Sequence, residues 1–96
     1  MKTNYQKQIE SLMVKELASA YQEQAIEDAI DDLQEHEMND AQEFADACCE
    51  YYREILKGAG FGDDFGSHSI YKGFAKFGDE CQVQEVAFKV WAFLTK

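Results

Sequence analysis

Proline is absent from this 96-residue chain, so no helix in it is interrupted by a missing amide or a clashing ring. Lysine and arginine are absent from every position between Lys15 and Arg53. Cysteine is scarce: Cys48, Cys49 and Cys81, two of them adjacent, do not make a disulfide framework, and reduced thiols in a cytosol fit them better. Long apolar runs are missing as well. The most apolar stretch, Val86 to Leu94, is too short to span a bilayer and carries Lys89 in its middle. The opening MKTNYQKQIES lacks the apolar segment of a signal peptide. Low-complexity tracts and repeats of fixed period are lacking too. These absences point to a cytoplasmic protein with neither secretory leader nor membrane span.

What is present is one domain's worth of chain, residues 1–96, with 46% hydrophobic residues and a formal net charge of −10. The hydrophobic content is enough for one modest core and argues against wholesale disorder. The charge argues against nucleic acid as a direct ligand, because such binding needs a basic patch that displaces counterions. An anionic membrane surface is disfavoured for the same reason.

Helix-start signals are plentiful. Thr3–Gln6, Ser19–Gln22, Asn39–Gln42 and Asp79–Gln82 each place a capping side chain three residues before a Gln, ahead of an apolar pattern of helical period. The spacing predicts helices over about residues 4–18, 20–37 and 40–57. The first carries Ile9, Leu12, Met13 and Leu17 on one face, the second Ile26, Ala29, Ile30 and Leu33, and the third Phe44, Cys48, Tyr51 and Ile55. The apolar faces of the first two differ in phase by about a third of a turn, which predicts a break near Ser19; one long helix is the alternative. Gly58 and Gly60 supply a stop for the third, and residues 58–68 form a loop. A short helix is expected over about 69–77 and a last one over about 80–95, on Val83, Val86, Ala87, Val90, Phe93 and Leu94. The fold class is therefore all-α, a compact domain of four to five helices. An α+β fold with the Val-, Phe- and Trp-rich C-terminal segment as strands is the alternative. Eight of the thirteen aromatics lie at or beyond Phe61, so this segment is expected to supply much of the core, with Trp91 the candidate for an exposed anchor.

Charge distribution carries the functional information. The stretch without a base holds twelve acids and is therefore −12; the rest has nine bases and seven acids, +2. On the second helix Glu23, Glu27, Asp28, Asp31, Asp32 and Glu35 oppose the apolar face, and Glu23, Glu27, Asp31 and Glu35 form an i, i+4 ladder. With Glu37, seven acids span about 22 Å of helix, one charge per about 3 Å; B-DNA carries one phosphate per about 3.4 Å of each strand. Glu43, Asp46 and Glu50 make a second ladder on the third helix. A solvated helix face is one reading of such acids. However, like charges at i, i+4 destabilise a helix by about 0.2–0.5 kcal/mol per pair, and Glu35 and Glu37 sit where the helix dipole prefers cations. Folding alone gives no reason to leave every rung without a Lys, so these ten acids are the candidate partner-binding residues.

In size, acidity, acidic helices and absence of catalytic signatures, the chain resembles the small DNA mimics encoded by phages and mobile elements. Within that group it is most similar to anti-CRISPR proteins that act on type I surveillance complexes. The resemblance covers the whole chain in character and rests on no shared motif. It implies a stoichiometric, non-enzymatic inhibitor whose acidic face blocks the basic DNA-binding surface of a host complex, in the host cytoplasm. Lys72, Lys76 and Lys89 depart from the most uniformly acidic mimics and imply that one face alone performs the mimicry. The rival reading is a non-catalytic regulatory adaptor that binds a protein partner through the aromatic C-terminal region.

Other chemistry has little to stand on. Cys48, Cys49, Cys81, His36 and His68 show no metal-ligand spacing, so buried structural thiols are expected and no metal or cofactor. Asp63 to His68 lacks the alternating ligands of a calcium loop and reads as a polar turn. The glycines of GAGFGDDFG follow no strand, and two acids among them would repel phosphate.

Overall fold

The computed structural model describes residues 4–61 and 67–95, which form five α-helices and no strand. They are α1 (Asn4–Glu16), α2 (Ala20–Glu35), α3 (Ala41–Gly58), α4 (Ser67–Phe77) and α5 (Glu80–Leu94). The C-terminal segment is thus helical rather than extended. Thr3 and residues 62–66 lie outside the described residues, and Ser67 and His68, expected in the polar turn from Asp63 to His68, instead open α4.

Each helix start has a local cause. Ser19 is extended (φ −148°, ψ 159°) and its Oγ accepts from the Gln22 amide, so α1 and α2 are separate helices with a break at Ser19. The Gln22 side chain does not close the box onto Ser19; its Oε1 accepts instead from the Ala18 amide at 2.6 Å. At the third start the cap is Asp40, one residue later than the Asn39–Gln42 spacing predicts. Asp40 Oδ1 accepts from the Glu43 amide at 2.9 Å, and the Glu43 carboxylate reaches back to the Asn39 amide. Asp79 and Gln82 form the reciprocal capping box that starts α5. At the end of α3 the helix runs through Gly58, and Gly60 takes the left-handed turn (φ +97°), letting the Phe61 amide return to the Leu56 carbonyl.

α3 is the central helix, packed between α2 and α5; α1 lies on α5, and α4 covers part of α3. The core joins Ile9 and Met13 of α1, Ala25, Ile26 and Ala29 of α2, Phe44, Ala45, Cys48, Tyr52 and Leu56 of α3, and Val83, Val86, Ala87 and Val90 of α5. The stripe on α3 is rotated from the expected one: Tyr52 and Leu56 are buried where Tyr51 and Ile55 were expected, and the latter two are only partly covered. A helix with neighbours on two sides buries a wider arc than a single i, i+4, i+7 line. Ile30 is likewise only partly buried.

The aromatic arrangement also differs from expectation. Among the described residues the fully buried aromatics, Phe44 and Tyr52, both belong to α3. The later rings brace them from the rim: Trp91 lies 5.7 Å from Phe44 and Phe74 5.4 Å from Tyr52, while Phe77 meets Tyr21 and Phe61 edge-on. Trp91 is therefore not an exposed ring; among the described residues Tyr71 is, at 73% exposure, with Phe88 at 38%.

Candidate acidic interface

Capping at Ser19 and Asp40 sets the phase of α2 and α3, and the core stripe then turns their acids outward. Asp28, Asp31, Asp32 and Glu35 of α2 line one shallow groove with Tyr51 of α3. A second hollow continues from it, lined by Asp32, Ala47, Glu50, Tyr51 and Glu54. Five of the ten candidate acids, Asp28, Asp31, Asp32, Glu35 and Glu50, thus gather from two helices around one aromatic ring. The other five do not share the groove. Glu23 is in the first turn of α2, Glu27 is exposed on its outer side, and Glu37 follows its end. Glu43 is engaged at the start of α3, and Asp46 lines an adjoining cleft with Cys49, Arg53 and Glu80, which Glu50 and Glu54 border as well.

Two groove residues escaped the sequence reading. Tyr51 was assigned to the core because it fits an i, i+7 line from Phe44. Glu54 lies just beyond Arg53 and so outside the base-free stretch, although it stands at i, i+4 from Glu50, a spacing that marks it as the next rung.

Among the described residues no Lys or Arg lines the groove around Tyr51, although Glu50 and Glu54 also border a neighbouring cleft that holds Arg53 and Lys57. Among the described residues Lys89 pairs with Glu16 and Arg53 with Glu80, each at 2.6 Å, and neither acid is a candidate. Among the described residues Asp32 is the one candidate with an ion-pair partner, His36 at 3.8 Å, which attracts it only when protonated. Amide side chains stand in for cations elsewhere: Gln24 donates to Asp28 and Gln42 to Asp46, each at 2.8 Å. The Tyr51 hydroxyl registers the local field. Desolvation first, then the Asp32 carboxylate within hydrogen-bonding reach, then Asp28 and Glu50, hold it above the usual phenol range. It therefore remains a neutral donor among the carboxylates. Such an arrangement suits cationic side chains, which find carboxylates on both helices and an aromatic surface between them.

The thiols differ in burial, and Cys49 and Cys81 border one cleft. Cys48 is buried, and burial followed by the neighbouring Cys49 pushes it up; Cys49 is half-buried and pushed up to about 12 by burial and Glu80. Cys81 is exposed, contrary to the expectation of a buried thiol, and a hydrogen bond with Asp79 raises it. Among the described residues no three His, Cys, Asp or Glu side chains converge to hold a metal ion. No helix among them is long and apolar enough to cross a membrane. No protein-family model matches the chain, and no curated protein and no solved structure matches it.

Proposed function

We propose that this protein is a stoichiometric, non-catalytic inhibitor whose α2–α3 acidic face imitates the phosphates of duplex DNA. It would thereby block a basic DNA-binding site on a host nucleic-acid-binding complex. The observation that carries this reading is the groove around Tyr51, where carboxylates of two helices converge and, among the described residues, no Lys or Arg pairs with them. Neutralising these acids within the fold would have been simple; their exposure leaves the field free to act on a partner. Electrostatic steering then speeds association with a basic surface, and exposed charges are screened over a Debye length of about 8 Å at physiological salt. Among possible targets we favour a type I CRISPR surveillance complex, on the resemblance in character to its known small inhibitors.

The test is a duplex-binding competition on a purified type I surveillance complex across a salt series. The parent should displace DNA in proportion to its concentration, progressively less well as salt rises, without binding DNA itself. Reversing Asp31, Glu35 and Glu50 to Lys should abolish displacement, because cations then face cations. Equal displacement by that variant and the parent would rule the reading out. If the parent leaves this complex untouched, the CRISPR assignment fails, and the same assay on other basic DNA-binding proteins decides whether mimicry stands.

The adaptor reading has one observation in its favour: Tyr71, 73% exposed beside Lys72 and Lys76, offers an aromatic contact on α4. It predicts that Tyr71→Ala weakens partner binding while the acid reversals do not.

A further inference from the structure

The positive residues of α4 are placed as unusually as the acids. Ile70, Gly73, Phe74 and Phe77 turn toward the body of the protein, whereas Tyr71, Lys72, Ala75 and Lys76 face solvent. The helix carries no acid, and among the described residues neither lysine is in an ion pair. The nearby acids at the start of α5 are engaged: Asp79 caps that helix and Glu80 pairs with Arg53.

The lysine-bearing face of α4 does not line the acidic groove of its own chain; the helix reaches that side of α3 through Ile70, which borders the cleft that Glu50 and Glu54 share with Arg53. Its C-terminal end is tied to the beginning of α2, where Gln22 Nε2 donates to the Asp79 carbonyl at 2.9 Å. The groove begins at Asp28 and ends at Glu35, about 9 to 20 Å further along the α2 axis at 1.5 Å per residue. The molecule is elongated, 41 × 26 × 22 Å, and among the described residues Lys72 and Lys76 do not line the groove.

We propose that the basic face of α4 docks in the α2–α3 acidic groove of a second copy of this chain, head to tail. The spacings match: Lys72 and Lys76 are i, i+4 on one helix, as are Asp28 and Asp32, and Asp31 and Glu35, on the other, so each pair is about 6 Å apart along its axis. Tyr71 and Tyr51 add aromatic area at the same contact. Self-repulsion from the net charge acts over the distance between molecular centres. At physiological salt that repulsion is screened beyond about 8 Å, whereas contacts between lysine and carboxylate are not. The contact is heterologous, using different surfaces on the two copies, so it leaves a free groove at one end and a free α4 at the other and extends rather than closes. It is small and reversible. Association would also cover the surface assigned above to target binding, a consequence that rests on that assignment; the association itself does not.

Sedimentation velocity tests this without DNA or any target, so it stands or fails separately from the inhibitor reading. The parent should show a weight-average mass that climbs with concentration toward about 1 mM in about 0.15 M salt, and returns to monomer near 1 M salt. K72E/K76E should stay monomeric, and so should D31K/E35K; all four positions are exposed, and melting curves verify that the folds are intact. Mixing the two variants should restore association, because the acidic α4 of one then meets the basic groove of the other. A parent that stays monomeric throughout overturns the proposal. So does association that survives K72E/K76E, or a mixture that fails to associate.

Discussion

Gln22 occupies the space that a side chain at position 78 would need. A Cβ on Gly78 would lie 2.7 Å from Gln22 Oε1, with the rest of the carboxamide nearer still, and the backbone there has φ +119°. Gln22 is fully buried, and its amide joins three elements: it accepts from Ala18 after α1 and donates to the Asp79 carbonyl and to Gln82 of α5. The turn between α4 and α5 is thus built around one glutamine from α2.

Gly78→Ala should accordingly be costly for its size. A non-glycine residue at that φ and a clash with a buried amide each contribute, and a loss of about 2–4 kcal/mol is expected by chemical denaturation. Gln22→Ala relieves the clash but not the strain, so the double variant should recover part of the loss. Full additivity of the two single losses would show that the side chains do not meet.

Tyr52 offers a pH test. Its hydroxyl donates to the Gly78 carbonyl at 2.7 Å, and burial first, then Asp79 and Glu80, raise it to about 12, against a partial lowering by Ser19. Because the folded phenol keeps its proton where the unfolded one has lost it, the stabilisation is complete below about pH 10 and disappears as pH rises toward about 12. Stability should decline across that window, Tyr52 contributing at most about 1.4 kcal/mol per pH unit. Tyr52→Phe should flatten the decline while lowering stability at neutral pH by about 1 kcal/mol. An unchanged slope would remove Tyr52 as its source.

The exposed acids should contribute nothing to folding. Glu27→Gln and Asp31→Asn each leave one fewer like-charge pair on α2, so low-salt melts should show stability unchanged within about 0.5 kcal/mol or slightly raised. A loss above about 2 kcal/mol would mean that these carboxylates make specific folded-state contacts.

Core truncations should follow depth. Phe44 and Val90 are fully buried, and Phe44→Ala should cost about 3–5 kcal/mol, with Val90→Ala lower for its smaller volume. Ile30 sits at the edge of the core, so Ile30→Ala should fall below the usual 2–5 kcal/mol for a buried isoleucine. Equal losses at Ile30 and Phe44 would show that α2 packs more deeply than described.

The helices were legible because their signals are local. Apolar period, a capping side chain and a glycine stop act within a few residues, so the break at Ser19, the capping box at Asp79 and the helical C-terminal segment followed from the chain alone. The cap at Asp40 shifted by one residue because Asn39 and Asp40 are both competent, and Glu43 reaches back to the Asn39 amide. The acidity of α2 and α3 was equally visible, since it requires only counting.

What tertiary packing alone decided is which acids stand together and which aromatics are covered. The rotation of α3 between α2 and α5 buries Tyr52, leaves Tyr51 in the groove, and brings Glu50 and Glu54 beside Asp32, while Asp46 stays outside the groove in the adjoining cleft that Glu50 and Glu54 also border. A one-dimensional pattern gives the phase of a helix relative to itself. Its phase relative to a neighbour depends on side-chain volumes from both, and here on the rings of Phe74 and Trp91 braced against Tyr52 and Phe44 from elements far along the chain. The amino-acid sequence therefore determined a domain of four to five helices and a strong negative field, and packing gathered part of that field, Asp28, Asp31, Asp32, Glu35 and Glu50, into a groove.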